Sequence, residues 1–114
     1  MNEAREKNLD RLFHALADQT RRRILELSAE KAVIVGDLVR EFRISAPAIT
    51  KHLNVLESAG LLERTKQGRM RLCRMRPESL KPISEVIAHY QKFWTANLDN
   101  LEKFIDDLKP SEPK

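Results

Sequence analysis

The sequence predicts a mainly α-helical fold with one small β-hairpin, and three observations carry the prediction. Apolar residues recur at three- and four-residue intervals over most of the 114-residue chain, the period of helices with one buried side. Over residues 61–75 that period gives way to two short runs around Gly68, the pattern of two strands and a turn. Two of the helical runs are separated only by Arg43-Ile44-Ser45, so they form a pair across a tight turn. At this length there is room for one domain with a modest core. We take it as residues 1–109, with disorder expected for residues 1–3 and for the tail over 110–114.

In chain order, Ala4 to Ala17 reads as a first helix with Leu9, Leu12, Phe13 and Leu16 on one side. Asp18 is placed to cap a second, from Gln19 to about Ala29, whose apolar side is Ile24, Leu25 and Leu27. Arg21, Arg22 and Arg23 fall in or near its first turn, where positive charge opposes the helix dipole. Pairing with Asp18 or Glu26 would explain them, and so would phosphate contact by Arg21 and Arg22. Lys31 to Val35 is a connector with a short extended piece at Val33-Ile34. The helix pair occupies about residues 36–59, beginning with Gly36 to Phe42, whose Leu38, Val39 and Phe42 face inward.

The second member of that pair organises the chain. Ser45 caps it and Pro47 suits its first turn, where a missing N–H costs little. Ile49, Leu53 and Leu56 recur at helical spacing, and Gly60 provides a left-handed stop after Ala59. Its outer face, Ala46, Ala48, Thr50, Lys51 and Asn54, is short-chained and free of acid until Glu57. Such a face can approach another surface closely, as a helix entering a DNA major groove must. A wing follows at about residues 61–75: one strand over Leu61 to Thr65, a turn over Lys66-Gln67-Gly68-Arg69, and a second strand over Met70 to Met75. A last helix, about residues 82–108, carries Ile83, Ile87, Tyr90, Trp94, Leu98, Leu101, Ile105 and Leu108. It is about 40 Å long by its rise, more than a chain of this size can cover, so a partner chain is expected along part of it.

Composition narrows the function. Apolar residues make up 41% and charged residues 33%, with a formal charge of +4. Arg64 through Arg76 holds six basic side chains and no acid, whereas Asp99, Glu102, Asp106 and Asp107 crowd the end of the last helix. That asymmetry favours a polyanion on one face. Cys73 is the only cysteine, which rules out an internal disulfide or a thiolate cluster and fits a reducing cytoplasm. No signal-peptide core and no bilayer-length apolar run is present, so the expected location is cytoplasmic, away from membranes. His14, His52 and His89 lie in separate segments, and no nucleophile or acid–base constellation accompanies them, so an enzyme is not expected.

The residues now described resemble the ArsR family of winged-helix repressors. The resemblance runs through Leu16-Ala17-Asp18-Gln19-Thr20-Arg21-Arg22-Arg23-Ile24-Leu25, Val35-Gly36-Asp37-Leu38, Ile44 to Leu53, Val55 to Leu61 and the basic wing. It implies a winged helix-turn-helix homodimer, joined through its first and last helices, that represses transcription from imperfect inverted repeats, its own promoter included. On this reading Ser45, Ala46, Ala48, Thr50, Lys51 and Asn54 face the groove, Arg21 and Arg22 are candidate further contacts, and His52, at the edge of the buried face, can hydrogen-bond inward or to DNA. Lys66, Gln67, Arg69 and Arg71 of the wing meet the backbone or minor groove. Leu9, Leu12, Phe13, Tyr90, Trp94, Leu98, Leu101 and Ile105 form the dimer contact.

Sensing does not follow the family pattern. Metal-responsive members carry a Cys-x-Cys pair where this chain has Ile34 and Gly36, and His89 is the one histidine of the last helix. No metal and no cofactor is therefore expected, and neither an inducer nor a partner protein is assigned. Cys73 is expected to fill a strand or dimer contact, and the Tyr90-Phe93-Trp94 stripe to be dimer core. A second reading stays open, in which the long last helix binds another protein as a dimeric module and the basic strip is only a solvated surface. A footprinted inverted repeat would exclude it.

Overall fold

The computed structural model describes residues 2–108; Met1 and the tail over 110–114 lie outside the described residues. The first helix, α1 (Glu3–Leu16), starts where the Asn2 side chain accepts a hydrogen bond from the Ala4 N–H at 2.9 Å. Residues 2 and 3, expected as disordered, are thus a cap and the start of a helix, and Glu3 and Glu6 complement its N-terminal dipole. Asp18 caps α2 (Gln19–Ala29) as predicted, its carboxylate accepting from the Arg21 N–H at 3.0 Å. Ser28 is buried on α2, and its hydroxyl is satisfied by donating to the Ile24 carbonyl at 2.8 Å.

Next come β1 (Val33–Ile34), α3 (Val35–Phe42), α4 (Ala46–Ser58), β2 (Leu62–Gln67), β3 (Met70–Met75), a 3-10 turn over Pro77–Leu80, and α5 (Lys81–Leu108). The extended piece at Val33-Ile34 is a true strand. It pairs with β3, Val33 opposite Cys73 and Ile34 opposite Leu72, so the sheet has three antiparallel strands in the order β1-β3-β2 rather than two. The wing turn is also tighter than the expected four residues. Pairing continues out to Gln67 opposite Met70, leaving Gly68 and Arg69 as a two-residue loop. Gly68 has a φ of +61°, which a side-chain-bearing residue adopts only with strain, so glycine permits the closure.

The core gathers where these elements meet. Leu12, Ile24, Leu38, Ile49, Leu53, Leu56, Leu61, Leu62 and Cys73 are at most 2% exposed, and burying one leucine or isoleucine side chain contributes about 1.5–3 kcal/mol. Helix α4 ends in a Schellman motif. The Gly60 N–H donates to the Glu57 carbonyl at 2.9 Å and the Leu61 N–H to the Leu56 carbonyl at 3.0 Å. Gly60, at φ +80°, supplies the left-handed residue, and Leu56 and Leu61 give the apolar contact that accompanies the motif.

Two of the residues assigned to dimerisation are corrected by this packing. Leu9 and Leu12 are 7% and 1% exposed within the single chain. With Ala15 they form one line at three-residue intervals on α1, the helix that packs on α2 and α4. Phe13, turned off that line, is the member of the α1 set left on the surface.

The described chain divides into two compact units, one ending at Ile83 and one beginning at Ser84, where the sequence reading has a single domain. Along α5 beyond Ile83, Tyr90, Trp94, Leu98, Leu101 and Ile105 are all exposed, as are Ile87, Phe93, Phe104 and Leu108. His89 lies among aromatic rings there, edge-on to Phe93 with centroids 5.4 Å apart.

Cys73 is fully buried, its Sγ 3.5 Å from the Val33 carbonyl oxygen, and burial pushes its thiol up to about 11. The reactive species is the thiolate. Alkylation of the native protein at pH 8 should therefore be slow and should accelerate on unfolding, as mass spectrometry of iodoacetamide-treated samples will read. Prompt native labelling would contradict the packed strand.

Candidate nucleic-acid interface

The interface is built from α4 outward. Arg43 ends α3 in the left-handed conformation, φ +56°, with its N–H on the Val39 carbonyl at 3.1 Å. This lets the chain reverse within two further residues. The Ser45 side chain then accepts from the Ala48 N–H at 3.2 Å, capping α4 as predicted. Because Ile49, Leu53 and Leu56 are drawn into the core, the opposite face must look outward. Ser45, Ala46, Thr50, Lys51 and Asn54 are exposed there, and Ala48 is half-buried.

His52 stands at the edge of that face and leans inward. Its side chain is 22% exposed, with Nδ1 3.8 Å from Asp18 Oδ2 and 3.4 Å from Arg21 Nη1. Nδ1 is thus turned inward, towards both the Asp18 carboxylate and the Arg21 guanidinium.

Arg21 and Arg22 do something that neither sequence explanation contains. Arg21 Nε donates to the Ala15 carbonyl at 2.8 Å and Nη2 to the His14 carbonyl at 2.9 Å, while Arg22 Nη1 donates to the Leu16 carbonyl at 2.7 Å. These are last-turn carbonyls of α1, which lack the N–H four residues on that the helix interior supplies; the His14 carbonyl also accepts from the Ala17 N–H at 3.2 Å. The two arginines close the C-terminus of the preceding helix, where cations are favoured, at the expense of sitting at the start of their own. Arg23 faces acids instead, Glu26 at 3.3 Å and Glu41 of α3 at 3.9 Å.

The wing carries a different kind of charge. Lys66 of β2 lies directly opposite Arg71 of β3, a like-charge pair on one face of an antiparallel ladder, which is destabilising on its own. Glu63 opposite Arg74 shows the favourable arrangement on the other face. Lys66, Gln67, Arg69 and Arg71 are all exposed. Among the described residues, Lys51, Lys66, Arg69 and Arg71 have no carboxylate partner. A cleft of about 250 Å³ between α4 and the wing is lined by Thr50, Leu53, Arg64, Thr65, Lys66 and Arg71, with Val35 behind.

One residue of this surface was missed from sequence. Arg64 of β2 donates from Nη2 to Asn54 Oδ1 at 2.7 Å and to Glu57 Oε1 at 2.6 Å, with Nε on the same Glu57 oxygen at 3.2 Å. This contact holds the Glu57 carboxyl below its ordinary value. The available signal was Glu57 itself, the one acid on an otherwise acid-free helix.

Among the described residues, no three His, Cys, Asp or Glu side chains gather closely enough to hold a metal ion, and no helix is long and apolar enough to cross a membrane.

Residues 18–64, from the Asp18 cap to Arg64, match the family described as bacterial regulatory protein, arsR family. The HTH-type transcriptional regulator Rv2034 of Mycobacterium tuberculosis is 36% identical over 97 residues, 85% of this chain and 88% of that protein. The chain belongs to the ArsR family. Another relative, the transcriptional repressor SdpR of Bacillus subtilis, is 37% identical over 60 residues, 53% of this chain and 67% of its own length. Among solved structures, the ArsR-like transcriptional regulator from Rhodococcus sp. RHA1 superposes with a TM-score of 0.74 at 27% identity, covering 96% of this chain and all of that one. The fold is accordingly the winged helix-turn-helix of ArsR-family regulators, with α3 and α4 as the helix pair and β2–β3 as the wing.

The Asp18 cap yields a pH-dependent prediction. The Arg21 backbone N–H lowers the Asp18 carboxyl below its usual value, with the His52 and Arg21 side chains acting in the same direction against some burial. A depressed folded-state value means the stabilisation is present above the ordinary carboxylate range and is lost as pH falls through the folded one. Asp18→Ala should cost about 1 kcal/mol at pH 7. Urea unfolding should show the gap from wild type closing below about pH 4.

Proposed function

We propose that the protein is a homodimeric transcriptional repressor that reads an imperfect inverted repeat in duplex DNA, its own promoter among the targets. The observation that carries the reading is the unpartnered cation set beside α4. Lys66 and Arg71 are held face to face with no acid between them, an arrangement that gains stability when an anion occupies the cleft. DNA phosphates supply anions at regular spacing. The small exposed side chains of α4 allow the helix backbone to approach base edges, where Ala48 and Thr50 meet thymine methyls and Asn54 makes a polar contact. Ser45, Ala46 and Lys51 complete that face, and Gln67 and Arg69 extend the contact from the wing tip.

Of the further contacts expected from sequence, Arg21, Arg22 and His52 serve the protein's own scaffold: the first two hold α1, and His52 turns Nδ1 inward. The exposed stripe of Tyr90, Trp94, Leu98, Leu101 and Ile105 on α5 supports a second copy as the dimer partner, and Phe13 of α1 is exposed on its own unit. Exposed large apolar surface of that extent marks an association site. A two-fold dimer places its two α4 helices about 34 Å apart, one DNA turn, or a multiple of it.

Selection from random duplexes followed by competition titration tests the reading. Arg69→Ala should weaken selected and random DNA by similar factors and lower the salt slope by about 1, as loss of one phosphate contact does. Thr50→Ala should weaken the selected site while leaving random DNA nearly unchanged. If Thr50→Ala weakens both equally, α4 is not the reading face. A wild-type chain that enriches no sequence refutes sequence-specific binding altogether.

Leu98→Asp should convert the dimer to a monomer in sedimentation at low micromolar concentration and abolish operator binding with it. A stable wild-type monomer under those conditions overturns the dimer.

A further inference from the structure

The three hydrogen bonds of Arg64 have a consequence for what α4 can recognise. Asn54 and Glu57 are three residues apart on one helix, so their side chains are neighbours on its surface. Arg64 reaches both from the base of the wing, with Nη2 at 2.7 Å from Asn54 Oδ1 and 2.6 Å from Glu57 Oε1. The side chain is 31% exposed, on the same wing face as the buried Cys73 opposite it. Both bonds are charge-assisted, and the one to Glu57 is an ion pair.

A carboxamide beside the major groove ordinarily reads adenine with both ends: the oxygen accepts from N6 and the nitrogen donates to N7. At Asn54 the oxygen is already bound, and Arg64 fixes which end of the amide faces away. One of the two Oδ1 lone pairs is taken by a charged donor, so Asn54 offers a weakened acceptor beside uncommitted Nδ2 donors. Facing adenine, the N6 amino group would have to share an oxygen already engaged by Arg64, and a poorly matched buried donor is costly. Guanine offers two adjacent acceptors, O6 and N7, and matches a side chain whose uncommitted capacity is mainly donors.

We propose that Arg64 is a specificity-determining positioning residue: by engaging Asn54 Oδ1 it biases Asn54 towards donating, so that guanine is favoured over adenine at the base it faces. This rests on the reading of α4 as the DNA-recognition helix. Arg64 also neutralises Glu57, the one acid of that helix, so the wing base supplies the recognition helix with both its polarity and its charge balance.

The test compares duplexes carrying guanine or adenine at the position whose preference disappears in Asn54→Ala. Wild type should favour guanine by about tenfold, within the range of a single base contact. Arg64→Lys keeps the charge but cannot fork between two acceptors in one plane, and it should shift the preference towards adenine by about tenfold. In the Asn54→Ala background the same lysine substitution should leave the preference at that position unchanged. An unaltered preference in Arg64→Lys overturns the proposal, as does an equal shift in both backgrounds. Should wild type select no sequence, the DNA-reading function fails and this proposal with it; a selected site read identically by Arg64→Lys fails the positioning role alone. Nitrogen NMR of the unbound wild-type protein gives a readout independent of any variant's folding. Resolved, slowly rotating Arg64 Nη signals are expected, and an averaged, freely rotating guanidinium overturns the contact.

Discussion

Three helices meet at the guanidinium of Arg21. It closes the end of α1 through the His14 and Ala15 carbonyls, belongs to α2, and approaches His52 of α4 at 3.4 Å. Each contact constrains a different angle, so the way α4 lies across α1 and α2 is set by a polar fork as well as by apolar packing. Arginine suits the place because its planar donors serve several acceptors at once and it stays charged at any relevant pH. Asp18 completes the junction, with one carboxylate capping α2 and lying 3.8 Å from His52. Were α4 to roll about its axis, Ile49, Leu53 and Leu56 would leave the core and the outward face would turn away. The exposed face of α4 therefore depends on a junction that lies behind it.

Local chemistry was legible in the sequence because its signals act over three or four residues. Asp18 and Ser45 as caps, Gly60 as the stop of α4, and Met70 to Met75 as a strand all follow from side chains acting on their own neighbourhood. The misses are interactions across longer separations. The pairing of Val33 with Cys73 joins segments 40 residues apart, and nothing in either announces the other. Arg21 and Arg22 look backwards, to carbonyls six or seven residues earlier, while the charge rules for helices look along the same helix. Leu9 and Leu12 were assigned to a partner because an apolar stripe does not say which surface covers it; here the chain's own α2 and α4 lie against that helix. Arg64 and Asn54 were both visible, but their contact depends on how the wing folds beside α4.

Charge counting alone would have misjudged the surface. The net +4 sums cations in two different situations. Arg21, Arg22, Arg23 and Arg64 are engaged with carbonyls, carboxylates or an amide of the same chain. Lys51, Lys66, Arg69 and Arg71 stand at or beside the face opposite the α4 core stripe, with no carboxylate partner among the described residues. The second group keeps its electrostatic capacity for another molecule, and it lies on α4 and the wing. An arginine already holding backbone carbonyls would have to break those bonds before meeting a phosphate.

Leu61 links α4 and the base of the wing through its own peptide groups. Its N–H ends α4 on the Leu56 carbonyl, and its carbonyl accepts from the Arg76 N–H just beyond β3, at 2.8 Å. With its side chain fully buried, this residue has no freedom to act as a hinge. Helix and wing base therefore form a single rigid head whose mutual geometry is settled when the chain folds. Ordering costs on encountering a ligand are confined to the long basic side chains at the wing tip. A ligand that engaged this head without refolding it would show none of the large negative heat-capacity change of coupled folding.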